Sequence, residues 1–376
     1  SWPQDLQVSL SCWLLFSVRR KYMKILRNNE TFLRKKLAKM VQKSCENANF
    51  LCAAPVYLLK RLRIMTQLMT SKKILIIGSS NTDMSVKSTK LPKPGETVLG
   101  DDFRMGPGGK GANQAVAARR LGGDVTFICK LGKDMFGEKA LEHYRSCGLD
   151  VSHILYSDKP SGIALITVDS LAENSIVVAS GANADITPED IDASADIIRS
   201  AGTLLLQLEI PMAAVVRAAE IAHESGVKVV LNPAPATKLP EELLRCVSLI
   251  VPNESEASML TGIDVVGKES AIEAARKFKS EGVGNVIITL GAKGSIVYDN
   301  AAELIPARRV EAVDTTAAGD TFCGALSVAL SEGKSLQEAA IFATAASSLS
   351  VQKQGAQDSI PTREETDNVL ILNRQK

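Results

Sequence analysis

The stretch Met69–Asp83, MTSKKILIIGSSNTD, carries the first decision about the fold. Ile74 to Ile77 form an unbroken apolar run closed by Gly78. A run with no polar alternation needs cover on both faces, as a strand in the middle of a parallel sheet has. Similar runs recur downstream: VTFICKLG, LLLQLE, VKVVLN, SLIVPN and NVIITLG. Helical patterns separate them. GKGANQAVAARRLG opens and closes on glycine. PMAAVVRAAEIAHESG begins with Pro, stops at Gly226 and sets Met212, Val215, Ala219 and Ala222 on one face. SAIEAARKFKSEG repeats the plan. This alternation predicts an α/β fold: a doubly wound, mainly parallel sheet with helices on both faces.

Two regions break the rhythm. NTDMSVKSTKLPKPGETVLGDDF and SGIALITVDSLAENSIVVASGAN read as antiparallel strands inserted into the α/β body. Together, from about 82–104 and 162–180, they predict a small sheet acting as a lid over the ligand edge.

Length and composition allow this. The chain has 376 residues, 45% hydrophobic but only 4% aromatic, enough for a sizeable aliphatic core. The net charge of +2 hides an asymmetry. Through Lys73 there are fifteen Lys and Arg against three acids, a balance of +12, which leaves −10 for the rest. Residues 1–68 are therefore expected to lie outside the fold. They read as upstream sequence, as an organellar transit or regulatory segment, or as a basic surface-binding arm, poorly ordered in each case. The apolar run VSLSCWLLFSV is too short to span a bilayer, and its basic cluster follows it rather than preceding it as in a secretory signal. The seven cysteines are scattered without a C-x-x-C, and the three histidines stand alone. We read reduced thiols, an intracellular protein, and no zinc or haem. Nothing in the charge pattern calls for a nucleic acid or a membrane.

Parallel sheets bind ligands beyond the carboxyl ends of their strands. Those ends carry Asn81, Asp83, Glu209, Asn232, Asn253 and Glu256. Each alone would serve as a turn or helix cap, but a row of them makes a polar cleft. GPGGKGAN matches G-x-G-x-x-G, yet a dinucleotide loop follows the first strand directly, and GSSNTD occupies that place. A phosphate-binding P-loop fails as well, because Gly111 follows Lys110. The glycines still let backbone approach a ligand at a helix start.

AVDTTAAGDTFCGAL, Ala312 to Leu326, is the second signal. A helix beginning at Gly319 would turn the N–H groups of Ala317, Ala318 and Gly319 outward as an anion hole for a transferred phosphoryl group. Asp320, at its rim, suits a base taking a proton from an attacking hydroxyl. Asp314 would then hold a cation nearby.

These motifs together, with PGET, LNPAPA, PNESEASMLTG, ITLGAKG and KQGAQDSIP in this order, resemble the ribokinase branch of the phosphofructokinase-B-type sugar kinases. The resemblance runs from about Lys72 to the end. It implies one kinase domain, 69–376, that uses ATP to phosphorylate the 5-hydroxyl of D-ribose. It implies Asp320 as base and Asn81, Asp83, Gly109, Lys110, Asn113 and Glu209 around the sugar. ATP would meet Asn253, Thr289, Gly291, Ala292, Lys293, Gly294, Ala318, Gly319 and Thr344. Mg²⁺ would be organised by Asn253 and Glu256, partly through water. A monovalent cation such as K⁺ would lie among Asp314, Thr316, Ser350, Lys353, Gly355 and Ser359. A homodimer through the lid strands and a cytoplasmic location, organellar if residues 1–68 are a transit peptide, are further implications. Many relatives have Gly where Ala317 stands, a change expected to be harmless. Rival readings are a kinase of the same fold for deoxyribose, another sugar or a nucleoside, an NAD-dependent dehydrogenase, and a non-catalytic sugar sensor.

Overall fold

The structure is a computed structural model and describes residues 73–171 and 173–373. The expectations for residues 1–68 lie outside the described residues.

In chain order the elements begin with β1 (Ile74–Ile77), β2 (Asn81–Ser88), β3 (Gly100–Gly108), α1 (Lys110–Arg120), β4 (Val125–Ile128), β5 (Lys130–Gly132) and α2 (Met135–Ser146). Next come β6 (Leu155–Ser157), β7 (Gly162–Val168), β8 (Asn174–Ala179), α3 (Pro188–Ala193), α4 (Ala195–Ser200), β9 (Thr203–Leu206), α5 (Met212–Glu224) and β10 (Lys228–Leu231). The chain continues through α6 (Glu241–Cys246), β11 (Leu249–Ile250), α7 (Glu254–Thr261), α8 (Lys268–Ser280), β12 (Asn285–Thr289), β13 (Ser295–Tyr298) and β14 (Ala302–Ile305). It ends with α9 (Ala318–Ser331), α10 (Leu336–Ser350) and α11 (Arg363–Asn373).

The main sheet has the order β14-β13-β12-β11-β10-β9-β1-β4. β4, β1, β9, β10, β11 and β12 are mutually parallel, and β13 and β14 continue the sheet antiparallel. Every apolar run singled out after Met69 supplies a strand here. The four residues of β1 are all buried, alternating between the two hydrophobic layers. Leu75 and Ile77 pack in one layer; Ile74 and Ile76 pack in the other, with α1 and α9. Each such aliphatic contributes about 1.5–3 kcal/mol by leaving water. The antiparallel pair β13–β14 was not anticipated, because SIVY and AELI are short and the second is half exposed.

The lid is a separate four-stranded sheet, β3-β2-β7-β8; the pairs β2–β3 and β7–β8 are antiparallel, as expected, but the central pair β2–β7 is parallel. Its register gives it two different faces, since directly paired residues point the same way. Asp83 sits opposite Gly106 and Ala164. One residue along, Met84 sits opposite Met105 and Leu165, and Leu165 opposite Val177. Asn81 and Asp83 thus share the face that continues from the end of β1, while the Met84 row lies on the other. Met105, Leu165 and Val177 of that row are 42%, 49% and 63% exposed, so this apolar face has no cover among the described residues.

Candidate active site

β1 neighbours β4 on one side and β9 on the other, so the chain leaves its first strand at the point where the winding reverses. The carboxyl ends of β1, β9, β10, β11 and β12 converge there with the starts of α1 and α9. A cavity of about 210 Å³ is lined by Lys110, Asn232, Asn253, Glu256, Thr289 and Asp320, among others.

Helix α1 is positioned by tight backbone contacts. Gly109 caps it with φ 89°, and a Cβ there would lie 2.7 Å from the Asn81 nitrogen. Glu209, from the loop after β9, reaches across to the same helix start. Its Oε2 accepts from the Lys110 backbone N–H at 3.0 Å and from the Ser79 hydroxyl at 2.5 Å. A carboxylate at a helix N-terminus is favoured by the helix dipole. One oxygen of Glu209 is therefore a cap, and the other takes no hydrogen bond among the described residues.

Asp320 lies in the first turn of α9 and is buried. Asn113 Nδ2 donates to its Oδ2 and Gln114 Nε2 to its Oδ1, both at 2.9 Å. Lys110, Asn113 and Gln114 occupy one face of α1 by i, i+3, i+4 spacing. Burial pushes the Asp320 pKa up, against the pull of Lys110 and the two amides. The donors oppose the rise, and a carboxylate raised in this way binds a proton more readily than a free one. Lys110 makes no ion pair within 4.0 Å among the described residues. Burial disfavours its charge, but Asp320, Glu209 and Glu256 together hold its pKa above the ordinary value.

Asp83 is treated differently. Its carboxylate packs on Gly108, where a Cβ would come within 2.2 Å. It takes no hydrogen bond among the described residues. Burial, then the charges of Glu209 and Asp320, push its pKa up to about 6. Asn81 accepts from Asn183 Nδ2 at 2.7 Å, which leaves its own NH₂ pointing elsewhere.

The anion hole differs in detail from its expected form. α9 begins at Ala318, one residue early, with Ala317 in the left-handed region at φ 57°. The Ala318 N–H turns back to Thr315 O at 3.2 Å. The N–H groups of Gly319 and Asp320 take no acceptor among the described residues, so they form the open part of the hole. In this conformation an L-residue costs about 1–2 kcal/mol relative to glycine, a cost to folding rather than to the N–H groups themselves.

Asn253 and Glu256 form a reciprocal cap at the start of α7. Asn253 Oδ1 accepts from the Glu256 N–H at 2.8 Å, and Glu256 Oε2 accepts from the Asn253 N–H at 2.9 Å. Burial raises the Glu256 pKa. Thr289 bridges to Asn253, its N–H bonded to Pro252 O at 3.0 Å. Beyond it Gly291, Ala292 and Lys293 form an exposed 3₁₀ turn ending at Gly294, whose φ is 108°. The Lys293 ammonium is turned to Glu254, 3.1 Å away. Thr344 lies on α10, one turn before Ser347, whose hydroxyl donates to Ala318 O at 3.1 Å.

Asp314 clamps two loops. Its Oδ1 accepts from the Thr316 N–H and hydroxyl at 2.9 and 2.6 Å, and its Oδ2 from the Gly355 N–H at 2.9 Å. Burial opposes the charge, but these donors hold its pKa below the usual value. Ser350 and Ser359 donate to the nearby carbonyls of Ser347 and Ala356, and the Lys353 ammonium pairs with Glu365. The loops of the expected cation site are thus adjacent, but the Lys353 side chain is turned away.

Several site residues escaped the sequence reading: Gln114, Asn183, Ser79 and Gln357. The spacing of Gln114 from Lys110 was the one available signal. The others are single residues joined across 100 positions or more.

Residues 71–363 match the model of the pfkB family carbohydrate kinases. The chain is 47% identical over 297 residues to a ribokinase of Haemophilus influenzae, covering 78% of this chain and 97% of that protein. It is 36% identical over 303 residues to a deoxyribokinase of Salmonella typhi, covering 80% and 99%. A solved structure of Arabidopsis thaliana ribokinase complexed with ribose and ATP superposes with a TM-score of 0.76 at 36% identity, covering 80% of this chain and 99% of that one. With the fold, the polar sheet edge and the carboxylate at the start of α9, these matches place the chain in the pfkB family of carbohydrate kinases.

Proposed function

We infer that the chain is an ATP-dependent ribokinase, transferring the γ-phosphoryl group to the 5-hydroxyl of ribose. The observation that carries this reading is the pairing of a buried, amide-held carboxylate, Asp320, with an unpartnered one, Asp83, across one cleft. Asp83, the Asn81 NH₂ and the second Glu209 oxygen are open to sugar hydroxyls. Asp320 takes the hydroxyl proton as the new O–P bond forms and the bond to the β-phosphate oxygen breaks. Charge developing on the transferred group meets the Gly319 and Asp320 N–H groups and the Lys110 ammonium. The proton then leaves to solvent with ADP.

ATP-dependent transfer uses Mg²⁺, which neutralises phosphate charge when bound. Glu256 offers one oxygen not used in its cap, and Asn253 Oδ1 is already engaged. That set fits an ion held largely by phosphates and water rather than a protein cage. The nucleotide would lie past Thr289, the 291–294 turn and Thr344. K⁺ in the Asp314 loops would add to a geometry that hydrogen bonds already hold, so the activation is modest. The uncovered apolar face of the lid fits a second copy of the chain. Among the described residues no helix is long and apolar enough to cross a membrane. We assign a cytoplasmic role.

Coupled measurement of ADP release across ribose, deoxyribose, hexoses and nucleosides tests the reading. Ribose should have the highest kcat/KM. A preference for 2-deoxyribose would move the chain to the specificity named for its Salmonella relative. Reduction of NAD without ADP would overturn the kinase reading.

A further inference from the structure

Asp320 is held by two side-chain amides, and one of them belongs to a chain that leaves the cleft. Asn113 gives its NH₂ to Asp320 and must present its oxygen elsewhere. That oxygen accepts from Gln357 Nε2 at 3.0 Å. The Gln357 oxygen in turn faces His143 Nε2 at 2.8 Å. Cys147 Sγ lies 3.5 Å from the same ring nitrogen. When His143 Nε2 carries a proton, every bond from the ring to Asp320 is polarised in one direction.

This order matters because the amides have no water to fall back on. Asn113 and Gln357 are buried, and an Asn113 turned over would set its oxygen against a carboxylate oxygen. Gln357 is anchored from behind: Arg120 donates to its carbonyl oxygen at 2.7 Å and to that of Ile360 at 3.1 Å. Cys147 and Tyr144 face His143 from α2, and Asp358 from the Gln357 loop. The contact with the Cys147 sulfur raises the imidazole pKa, burial opposes the rise, and the Gln357 contact adds to it.

We propose that Gln357 is a positioning residue for the catalytic base: backed by His143, it fixes the Asn113 amide so that Asn113 donates to Asp320. The proposal rests on the reading of Asp320 as base. The same loop carries Gly355, whose N–H is bound by Asp314, so the order of the 350–359 loop reaches Asp320 through this one side chain.

Steady-state kinetics on the full chain tests it. Gln357→Met keeps the bulk but removes the donor. It should lower kcat about tenfold, the size expected for one hydrogen bond to a charged group. The KM values for ribose and ATP should stay within about twofold. The acid limb of the kcat profile should move to higher pH, because an Asn113 amide no longer fixed by Gln357 supports the carboxylate's charge less well. His143→Ala should act in the same direction by a few-fold, and His143→Gln, which puts an amide N–H near the place of Nε2, should recover most of that loss. Wild-type kcat and acid limb in Gln357→Met would overturn the proposal, as would a rise in ribose KM equal to the fall in kcat. If Gln357→Met does not fold, equal behaviour of His143→Ala and His143→Gln overturns it. A fully active Asp320→Asn enzyme would instead sink the assignment of the base.

Discussion

Asp83 and Asp314 are both partly buried carboxylates that the sequence marks for ligands, and the fold treats them in opposite ways. Asp314 holds three donors from the chain itself and is pulled below the ordinary pKa. Asp83 holds none among the described residues and is pushed up to about 6. A buried carboxylate without partners is costly to folding, a cost that a hydrogen-bonding ligand would offset. A carboxylate saturated with backbone N–H groups is a clamp first. Asp320 stands between the two: its raised pKa resembles that of Asp83, yet both of its oxygens are held.

The largest effect should fall on the intermediate case. Asp320→Asn should keep the fold and ribose binding while turnover drops about 10²–10⁴-fold, the usual share of a general base. Near-normal turnover would mean that another group takes the proton. Asp83→Ala comes next. It should raise the ribose KM by about one to several powers of ten, as sites that lose a hydroxyl partner do. An unchanged ribose dependence would remove Asp83 from the sugar site.

The pH dependence separates the two residues. On the proposed reading ribose hydroxyls donate to an ionised Asp83, and the ribose KM should then rise as pH falls below about 6, up to about tenfold per unit. A flat KM down to pH 5 would contradict this. For stability the signs are opposite. The raised Asp83 pKa makes folding less favourable as pH climbs from its unfolded value to about 6, and the penalty is full above that. The lowered Asp314 pKa contributes stability above the ordinary Asp value, lost as pH falls through the folded one.

Asp314→Ala should therefore show chiefly as lost stability, about 1–3 kcal/mol for the unpaired donors it leaves. It should also abolish any gain in rate when K⁺ replaces a large organic cation at equal ionic strength. A variant with wild-type melting would show that the clamp contributes nothing. The smallest effect is expected from removing the basic segment. Every residue assigned to the cleft lies between Ser79 and Ser359, so a chain beginning at Met69 should phosphorylate ribose at the full rate. An inactive product would show that the segment belongs to the enzyme.

The parts of this arrangement that could be read in the sequence share a physical reason. β1 and β9 to β12 are buried on both faces, so each spells out a continuous apolar run. Their carboxyl ends follow at once, which made Asn81, Glu209 and Asn253 visible as a set. What a residue does with each of its atoms was not visible. The cap made by one oxygen of Glu209 and the turn of the Ala318 N–H back to Thr315 depend on approach geometry. Gln357 stands inside the KQGAQDSIP motif, but its partner Asn113 lies 244 positions away and nothing in the motif announces the pairing.

The two-faced lid has a consequence for how this gene can vary. Along β2 the residues that face the cleft, Asn81, Asp83 and Ser85, interleave with those that face away, Thr82, Met84 and Val86. One strand is thus under two kinds of selection that alternate every 3.3 Å or so. Tolerance to substitution should beat with a period of two, sugar chemistry judging one set and surface cover the other. An insertion of a single residue before Asp83 would exchange the two sets at once, so length should be held more strictly in β2 than any individual side chain is.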